Sequence, residues 1–196
     1  MLRIIAGEHR GRILKTVIGN NTRPTSDKVK ESLFNILQNK LPESYVLDLF
    51  SGTGNLGLEA LSRGSKGVVF VEKDTKALAV LRDNCKALDY MDYIDILPID
   101  VLKAIPELSL KNKVFDIVFM DPPYNKDLEI PAVSALQSYN LLNENGIIII
   151  EHLDKDLQPD RIGDFIQYDF RLYGHTGLSF YRKDALNEDS SLPGKL

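Results

Sequence analysis

Four acidic residues, Asp48, Glu72, Asp100 and Asp121, each stand at the end of a stretch that we predict to be a strand. Continuous apolar runs are typical of parallel strands that are buried on both faces. The carboxyl ends of parallel strands meet at one edge of a sheet, where such sheets bind ligands, so we expect the four carboxylates to line a binding site. Taken singly, each acid could instead be a helix cap or a turn former.

The last of these acids opens the segment Asp121-Pro122-Pro123-Tyr124, which we predict to be catalytic. The residue types suit chemistry on an exocyclic amine of a nucleobase, whose nitrogen is a poor nucleophile because its lone pair is delocalised into the ring. The Asp121 carboxylate and the Pro122 carbonyl can accept both amine hydrogens, and the fixed φ of proline stiffens the loop. Tyr124 offers a ring for base stacking. A rigid strand end without chemistry is the alternative.

A glycine-rich turn follows the first acid and consists of Phe50, Ser51, Gly52, Thr53 and Gly54. With Gly57 it matches the dinucleotide pattern Gly-x-Gly-x-x-Gly, and Glu72 lies where a ribose-binding acid is expected. Asp48, however, would repel a pyrophosphate. It would attract the amino and sulfonium groups of S-adenosylmethionine, so the turn favours a methyl donor over NAD. An ordinary turn with glycines for tight packing is the alternative.

Each predicted cofactor-binding residue has a task that its chemistry allows. The turn approaches the cofactor with its backbone. Asp48 faces the cationic methionine end, partly through water, and Glu72 accepts both ribose hydroxyls. Asp100 accepts a hydrogen bond from the adenine amino group, and the backbone N–H of Val101 donates to the adenine ring. Apolar walls are expected from Phe50, Leu102 and the stem of Lys73.

Strand-like runs alternate with segments of helical periodicity, which predicts an α/β fold with a doubly wound, mostly parallel, seven-stranded, Rossmann-like sheet. We predict the strands over residues 45–48, 67–72, 93–99, 114–120, 146–151, 165–173 and 177–183. Two further strands, over 2–6 and 12–18, are expected to form an appended N-terminal β-hairpin. A helix capped by Thr25 or Ser26 follows the hairpin. Its buried face is expected at Val29, Leu33, Ile36 and Leu37.

The charge distribution suggests three parts: a basic hairpin arm (1–22), a catalytic domain (23–184) and a mobile tail (185–196). The first 30 residues hold seven basic and two acidic side chains, although the net charge of the chain is −4. A basic arm on an acidic body suggests contact with a polyanion. A solvated hairpin face is the alternative.

Other features of the sequence exclude several protein classes. The 196 residues suit one domain, and Cys85 is the only cysteine, so no intrachain disulfide is expected. His9, His152 and His175 lack metal-ligand spacing, and we expect no metal. No apolar run reaches the length of a membrane span, and the N-terminus lacks a signal-peptide core. We therefore expect a cytoplasmic protein, without membrane contact and monomeric.

The chain resembles the RsmD family, the guanine 2-amino methyltransferases of bacterial small-subunit (16S) ribosomal RNA. The resemblance covers roughly residues 3–183. It is carried by RPTSDKVKESLFNIL at 23–37, DLFSGTGNLGLEALSRG at 48–64, FVEKD at 70–74, DPPY at 121–124 and YGHTGLSFYR at 173–182. The first and last of these segments separate the family from other amino methyltransferases. Lys30 stands where the family is expected to have arginine.

The resemblance implies a class I methyltransferase fold, S-adenosylmethionine as cofactor and an unpaired guanine of small-subunit ribosomal RNA, or of the assembled small subunit, as target. It places Asp121, Pro122 and Tyr124 at the reacting amine. It also implies that Arg23 and Thr25 close over the cofactor. The residues implied to grip the RNA are Arg10, Arg12 and Lys15.

Two other functions are compatible with parts of the pattern. DNA methyltransferases that act on the 6-amino group of adenine can also use Asp-Pro-Pro-Tyr, but they usually add a recognition domain for which this chain has little room. A base in an RNA loop is already unpaired, so a small enzyme can reach it. The third function is a nucleotide-binding module without chemistry, against which the intact 121–124 segment argues.

Overall fold

The protein is described here from a computed structural model that covers residues 2–17, 26–123 and 127–184. Its α-helices are α1 (Asp27–Leu37), α2 (Asn55–Ser62), α3 (Thr75–Ala87), α4 (Val101–Leu110) and α5 (Glu129–Ser138). Its strands are β1 (Tyr45–Leu49), β2 (Gly67–Val71), β3 (Ile94–Leu97), β4 (Phe115–Met120), β5 (Leu142–Leu153), β6 (Arg161–Ile162), β7 (Phe165–Tyr173) and β8 (Thr176–Lys183).

All these strands belong to one sheet, in the order β3-β2-β1-β4-β5-β8-β7-β6. The strands β1 to β5 pair in parallel, and the last three pair antiparallel. The sheet thus contains the seven predicted strands and a two-residue edge strand, β6, that the pattern does not predict. The chain runs outward from β1 to β3 and returns to the other side of β1 as β4. This reversal is the topological switch point, where doubly wound sheets bind their ligands.

Helices cover both faces of the sheet, as the continuous apolar runs of β1 and β2 require. The helices α1, α2 and α3 contribute buried side chains to one core, and α4 and α5 contribute to the other. Alternate residues of each parallel strand enter each core; for example, Val46 belongs to the first and Leu47 to the second. The two cores hold the strand ends in a rigid row.

The predicted cap of α1 is confirmed, but its predicted buried face is partly wrong. The Ser26 side chain accepts a hydrogen bond from the backbone N–H of Val29. Ile36 is 40% exposed, whereas Phe34 is fully buried. The ring of Phe34 lies 5.6 Å from that of Phe119 on β4, so α1 is rotated to bury the larger side chain.

The predicted N-terminal hairpin is present as a short antiparallel pairing, and not as two full strands. Arg3 and Ile13 form a bridge, the Ile4 N–H donates to the Arg12 carbonyl over 2.9 Å, and the Leu14 N–H donates to the Leu2 carbonyl over 2.9 Å. Within the described residues the pairing extends no further along the chain, and the backbone N–H groups of Ile5 and Ala6 donate to the side chain of Glu59 on α2. Position 18 lies outside the described residues. We call residues 2–17 the basic segment; it is packed against the domain, with Leu2, Ile4 and Leu14 in the first core.

Candidate active site

The tips of β1 and β4 lie side by side at the centre of the sheet. Asp48 pairs with Phe119, and Asp121 follows two residues later, so both carboxylates stand on the face covered by α1, α2 and α3. Asp121 also interacts electrostatically with Asp48. The strand register therefore brings the first and last of the predicted acids together, on either side of the switch point.

The turn after β1 is braced by hydrogen bonds to its own strand and to β2. The Ser51 hydroxyl donates to the carbonyl of Asp48 over 2.6 Å, and the Ser51 backbone N–H donates to the carbonyl of Val71 over 3.0 Å. Gly52 has φ +55° and no heavy atom within 4 Å of the position of a Cβ, so open space lies above it. Its conformation and this space suit a ligand that approaches the backbone closely.

The third glycine of the pattern has a packing role. A Cβ on Gly57 would lie 2.3 Å from the Phe70 ring on β2, so only glycine lets α2 approach the sheet this closely. The same close approach brings the Gly57 backbone N–H to 2.9 Å from the Asp48 Oδ2 atom. Gly57 therefore positions the carboxylate at the tip of β1, and it does not face a phosphate.

Asp48 is buried, with 3% of its surface exposed. Burial is the main cause that raises the pKa of its carboxyl to about 7; the Gly57 hydrogen bond opposes this shift, and the charge of Glu72 contributes to it. A buried carboxylate of this kind is stabilised by a neighbouring cation and destabilised by a phosphate. The electrostatics therefore favour a cationic ligand over a dinucleotide.

Glu72 is held at the tip of β2 by three backbone N–H groups. Its Oε2 accepts from Gly52 over 2.8 Å, and its Oε1 accepts from Lys73 and Asp74, each over 2.7 Å. A carboxylate offers about four lone-pair positions, so it can accept a further hydroxyl donor. Glu72 is thus joined to the glycine turn and oriented before any ligand binds.

Asp100 caps α4, since its Oδ1 accepts from the backbone N–H of Leu102 over 3.0 Å. Its Oδ2 lies 2.9 Å from the Lys73 Nζ. The hydrogen bond from Lys73 lowers the pKa of Asp100, and the same bond raises the pKa of Lys73. Val101 is buried as the first residue of α4, and its N–H has no acceptor within the helix. The tips of β2 and β3 are therefore linked by an ion pair.

The segment after β4 is described as far as residue 123. Asp121 is partly exposed, Pro122 is buried and Pro123 is exposed. Loss of hydration by the carboxyl raises the pKa of Asp121 well above its ordinary value, and the charges of Glu151 and Asp48 add to this effect. Three predicted site residues, Arg23, Thr25 and Tyr124, lie outside the described residues, and so does the predicted tail from residue 185.

Sequence reasoning missed Glu151 as a member of this site. Met120 pairs with Ile150, so the next residue along β5, Glu151, stands beside Asp121. It is 3% exposed and lies on the same face of the sheet as Ile149. The signal was present, because residues 146–150 form a fifth apolar run that ends in an acid.

The three predicted RNA-binding residues are exposed, but they differ in their contacts. The Arg12 Nη2 donates to the carbonyl of Ala87 over 3.2 Å, and the Lys15 Nζ lies 2.8 Å from the Asp83 Oδ2. Two of the three cations are thus oriented along α3, whereas Arg10 lies in the turn of the basic segment.

The part of the chain that the structure describes contains neither a metal site nor a membrane-spanning helix. No group of three or more His, Cys, Asp or Glu side chains there could hold a metal ion. No helix there is both long enough and apolar enough to cross a bilayer.

A doubly wound sheet with this strand order, a glycine turn after β1 and acids at the strand tips defines the class I S-adenosylmethionine-dependent methyltransferases. A family model described as conserved hypothetical protein 95 matches residues 2–182. Ribosomal RNA small subunit methyltransferase D of Haemophilus influenzae is 40% identical over 154 residues, which cover 76% of this chain and 78% of that protein. The chain belongs to the RsmD family of methyltransferases, which use S-adenosylmethionine.

Other similar proteins span nearly the whole chain. The protein of the same name from Escherichia coli is 30% identical over 190 residues, covering 97% of this chain and 94% of that protein. Among solved structures, the yhhF protein of Escherichia coli has a TM-score of 0.80 at 28% identity and covers 94% of this chain and 98% of its own. The fold expected from the sequence is therefore confirmed.

Proposed function

We propose that this protein transfers a methyl group from S-adenosylmethionine to the exocyclic 2-amino group of a guanine in small-subunit ribosomal RNA. Family membership supports the methyl transfer, and the names of the relatives support ribosomal RNA as the substrate. The observation that carries the proposal is the pairing of β1 with β4. It sets the carboxylate of Asp121 beside the turn proposed to hold the methyl donor.

The geometry of the turn fits the proposed cofactor. Open space above Gly52 leaves room for a ligand against the backbone. Glu72, already oriented, accepts a ribose hydroxyl at the position left free on its Oε2. The buried Asp48 carboxylate favours the cationic methionine end. Asp100 and the Val101 N–H face the adenine ring. When bound, the cofactor supplies an electrophilic methyl group on a sulfonium.

The residues after β4 hold the target amine. The Asp121 carboxylate and the Pro122 carbonyl accept one N–H each, which turns the nitrogen lone pair toward the methyl group. Near-attack positioning of this kind can lower a barrier by up to about 7–11 kcal/mol. Asp121 need not remove a proton before the transfer, because the nitrogen becomes acidic only once it carries the methyl group. The proton that the methylated nitrogen releases then passes to the Asp121 carboxylate.

The basic segment provides the contact with the RNA backbone in this proposal. Arg10, Arg12 and Lys15 are exposed on one part of the surface, and phosphate contacts of this kind position a nucleic acid without reading its sequence. The same proposal includes an N-terminal arm that ends at residue 22. It also includes a cytoplasmic location and a monomeric state. The target guanine is unpaired, so no duplex has to be opened.

Methylation of unmodified small-subunit RNA and of assembled small subunits, with a labelled donor, tests the proposal. Digestion to nucleosides should give labelled N2-methylguanosine as the only product. Labelled N6-methyladenosine from DNA would instead establish the adenine methyltransferase. Binding of S-adenosylhomocysteine without methyl transfer to any of these substrates would contradict the proposed substrate, and tight binding of NADH alone would contradict the cofactor.

A further inference from the structure

One buried side chain joins the basic segment to the glycine turn. Asn84 lies on α3 and is 2% exposed. Its Oδ1 accepts from the backbone N–H of Lys15 over 2.8 Å, and its Nδ2 donates to the carbonyl of Lys15 over 3.1 Å and to the carbonyl of Thr53 over 3.0 Å. A single amide thus binds two chain segments that are remote in sequence.

The chemistry of this contact is specific to asparagine. Because a backbone N–H can only donate, Lys15 determines which end of the amide is oxygen. The amide nitrogen then has two hydrogens for two carbonyls, so the buried amide is fully used. Aspartate has the same shape but lacks both donors, and it would place a negative charge against the carbonyls of Lys15 and Thr53.

Two other anchors of the basic segment, Glu59 and Ser62, do not contact the turn. Glu59 accepts from Ile5 and Ala6, and the Ser62 hydroxyl donates to Ala6 and accepts from the backbone N–H of His9. Both anchors lie on α2. Among the described residues, Asn84 has the only side chain that forms hydrogen bonds with both the basic segment and residues 50–54.

We propose that Asn84 is a positioning residue that couples RNA binding at the basic segment to cofactor binding at the glycine turn. The inference rests on the proposed function for the identity of the two ligands. A ligand that orders the turn also orders the Thr53 carbonyl, and through the shared amide it restrains the backbone of Lys15, a residue of the proposed RNA contact. Coupling of two sites is reciprocal, so bound RNA must strengthen cofactor binding by the same factor.

The coupling can be measured first without RNA, by hydrogen exchange of peptides from residues 2–17 with and without saturating S-adenosylhomocysteine. In the wild-type protein the ligand should slow exchange near Lys15 several-fold. In Asn84→Ser and Asn84→Asp this response should be lost, although the ligand still binds at higher concentration. Ser62→Ala is the matched control, because it removes an anchor of the same segment without touching the turn; its exchange response near Lys15 should persist.

The affinity for a small-subunit RNA fragment, measured with and without S-adenosylhomocysteine, provides the second readout. The wild-type ratio should be about fivefold or more, which is the lower end of ordinary coupling. In Asn84→Ser the ratio should fall to about one. If Asn84 had only a structural role, its replacement would change the RNA affinity equally with and without S-adenosylhomocysteine. The ratio of the two affinities therefore distinguishes coupling from a general loss of structure.

Two results would overturn the coupling: no exchange response of residues 2–17 in the wild-type protein, or a full response and ratio in the Asn84 variants. If both variants fail to fold, the exchange response of residues 2–17 in the wild-type protein still tests the coupling by itself. Failure of the proposed function has a different signature, because then the wild-type protein would not bind S-adenosylhomocysteine or would not methylate RNA.

Discussion

The Oε2 atom of Glu72 accepts the backbone N–H of Gly52 over 2.8 Å, so the tip of β2 and the turn after β1 form one unit. The bond places a carboxylate at the open side of a turn that has no side chain above it. Because Glu72 is already oriented, the protein loses less conformational entropy when a ligand binds. The predicted ribose contact therefore depends on a residue pair, and not on Glu72 alone.

Glu72→Gln should weaken the binding of S-adenosylhomocysteine by roughly 10- to 100-fold, because hydrogen bonds to a charged acceptor contribute about 1.5–3 kcal/mol each. The amide keeps one acceptor but cannot serve Gly52, Lys73 and Asp74 together with a ribose. Isothermal titration measures the change. Glu107→Gln, which alters an exposed ion pair on α4, is the control and should bind like the wild-type protein.

Asp121→Ala should reduce turnover by at least about 100-fold while the affinity for S-adenosylhomocysteine stays within about twofold. The variant removes one of the two acceptors that hold the amine, and tight positioning accounts for a large part of the barrier reduction. Single-turnover methylation and isothermal titration on the same preparation separate the two effects. A variant that keeps most of its activity would refute the role assigned to Asp121.

Asp48→Asn should make the stability of the protein less dependent on pH between about 4 and 7. The folded-state pKa of Asp48, about 7, lies above the ordinary value of 3.8 for an aspartate, so the folded state binds more protons in this range. Its contribution to the free energy of unfolding is present below about pH 4 and is lost as the pH rises toward 7. Thermal unfolding at pH 4 to 8 should therefore show a gap between Asp48→Asn and the wild-type protein that widens up to about pH 7 and then levels off.

Arg10→Glu with Arg12→Glu should weaken RNA binding, and the loss should grow as the salt concentration falls, because phosphate contacts depend on counterion release. A filter-binding series in salt measures the slope of the affinity against salt concentration, which should become shallower by about one per lost contact. Lys111→Glu on α4, outside the basic segment, is the control. Unchanged binding in the double variant would remove the basic segment from the RNA contact.

Lys30→Met should lower the free energy of unfolding by roughly 3 kcal/mol, since loss of one partner of a buried ion pair leaves the other charge uncompensated. The Lys30 Nζ lies 3.2 Å from the Glu59 Oε2, and both side chains are fully buried. It also donates to Asn55 over 2.8 Å. Arg63 also pairs with Glu59, which limits the decrease in the free energy of unfolding. Urea denaturation measures this free energy. Lys111→Met, which breaks an exposed pair on a helix, should cost about 0.5 kcal/mol or less.

Local patterns were sufficient for much of the fold and for the row of acids. The stretches predicted to be strands place Asp48, Glu72, Asp100 and Asp121 at strand tips, and the parallel rule brings those tips together without coordinates. The inward stripe of α3, with Leu78, Leu81, Cys85 and Leu88, also follows from helical spacing and is buried throughout. The roles assigned to these site residues remain predictions.

Local sequence patterns did not predict the contacts between segments that are remote in the sequence. The predicted N-terminal hairpin is reduced to one bridge, and the backbone N–H groups of Ile5 and Ala6 donate to Glu59 on α2. The sequence around Ile5 does not predict that its N–H donates to Glu59, which is 54 residues away. A lysine in a helix is ordinarily an exposed cation, but Lys30 is fully buried and pairs with the same Glu59.

The sequence by itself determined which residue types meet at the ends of the strands, because that depends on period and order along the chain. Only the tertiary structure decided which carboxylates lie close enough to change each other's pKa, that Glu151 joins Asp121, and that Asn84 joins Lys15 to Thr53. Hydrogen bonds and charge interactions act over a few ångströms, and the packing of the helices on the sheet sets those distances.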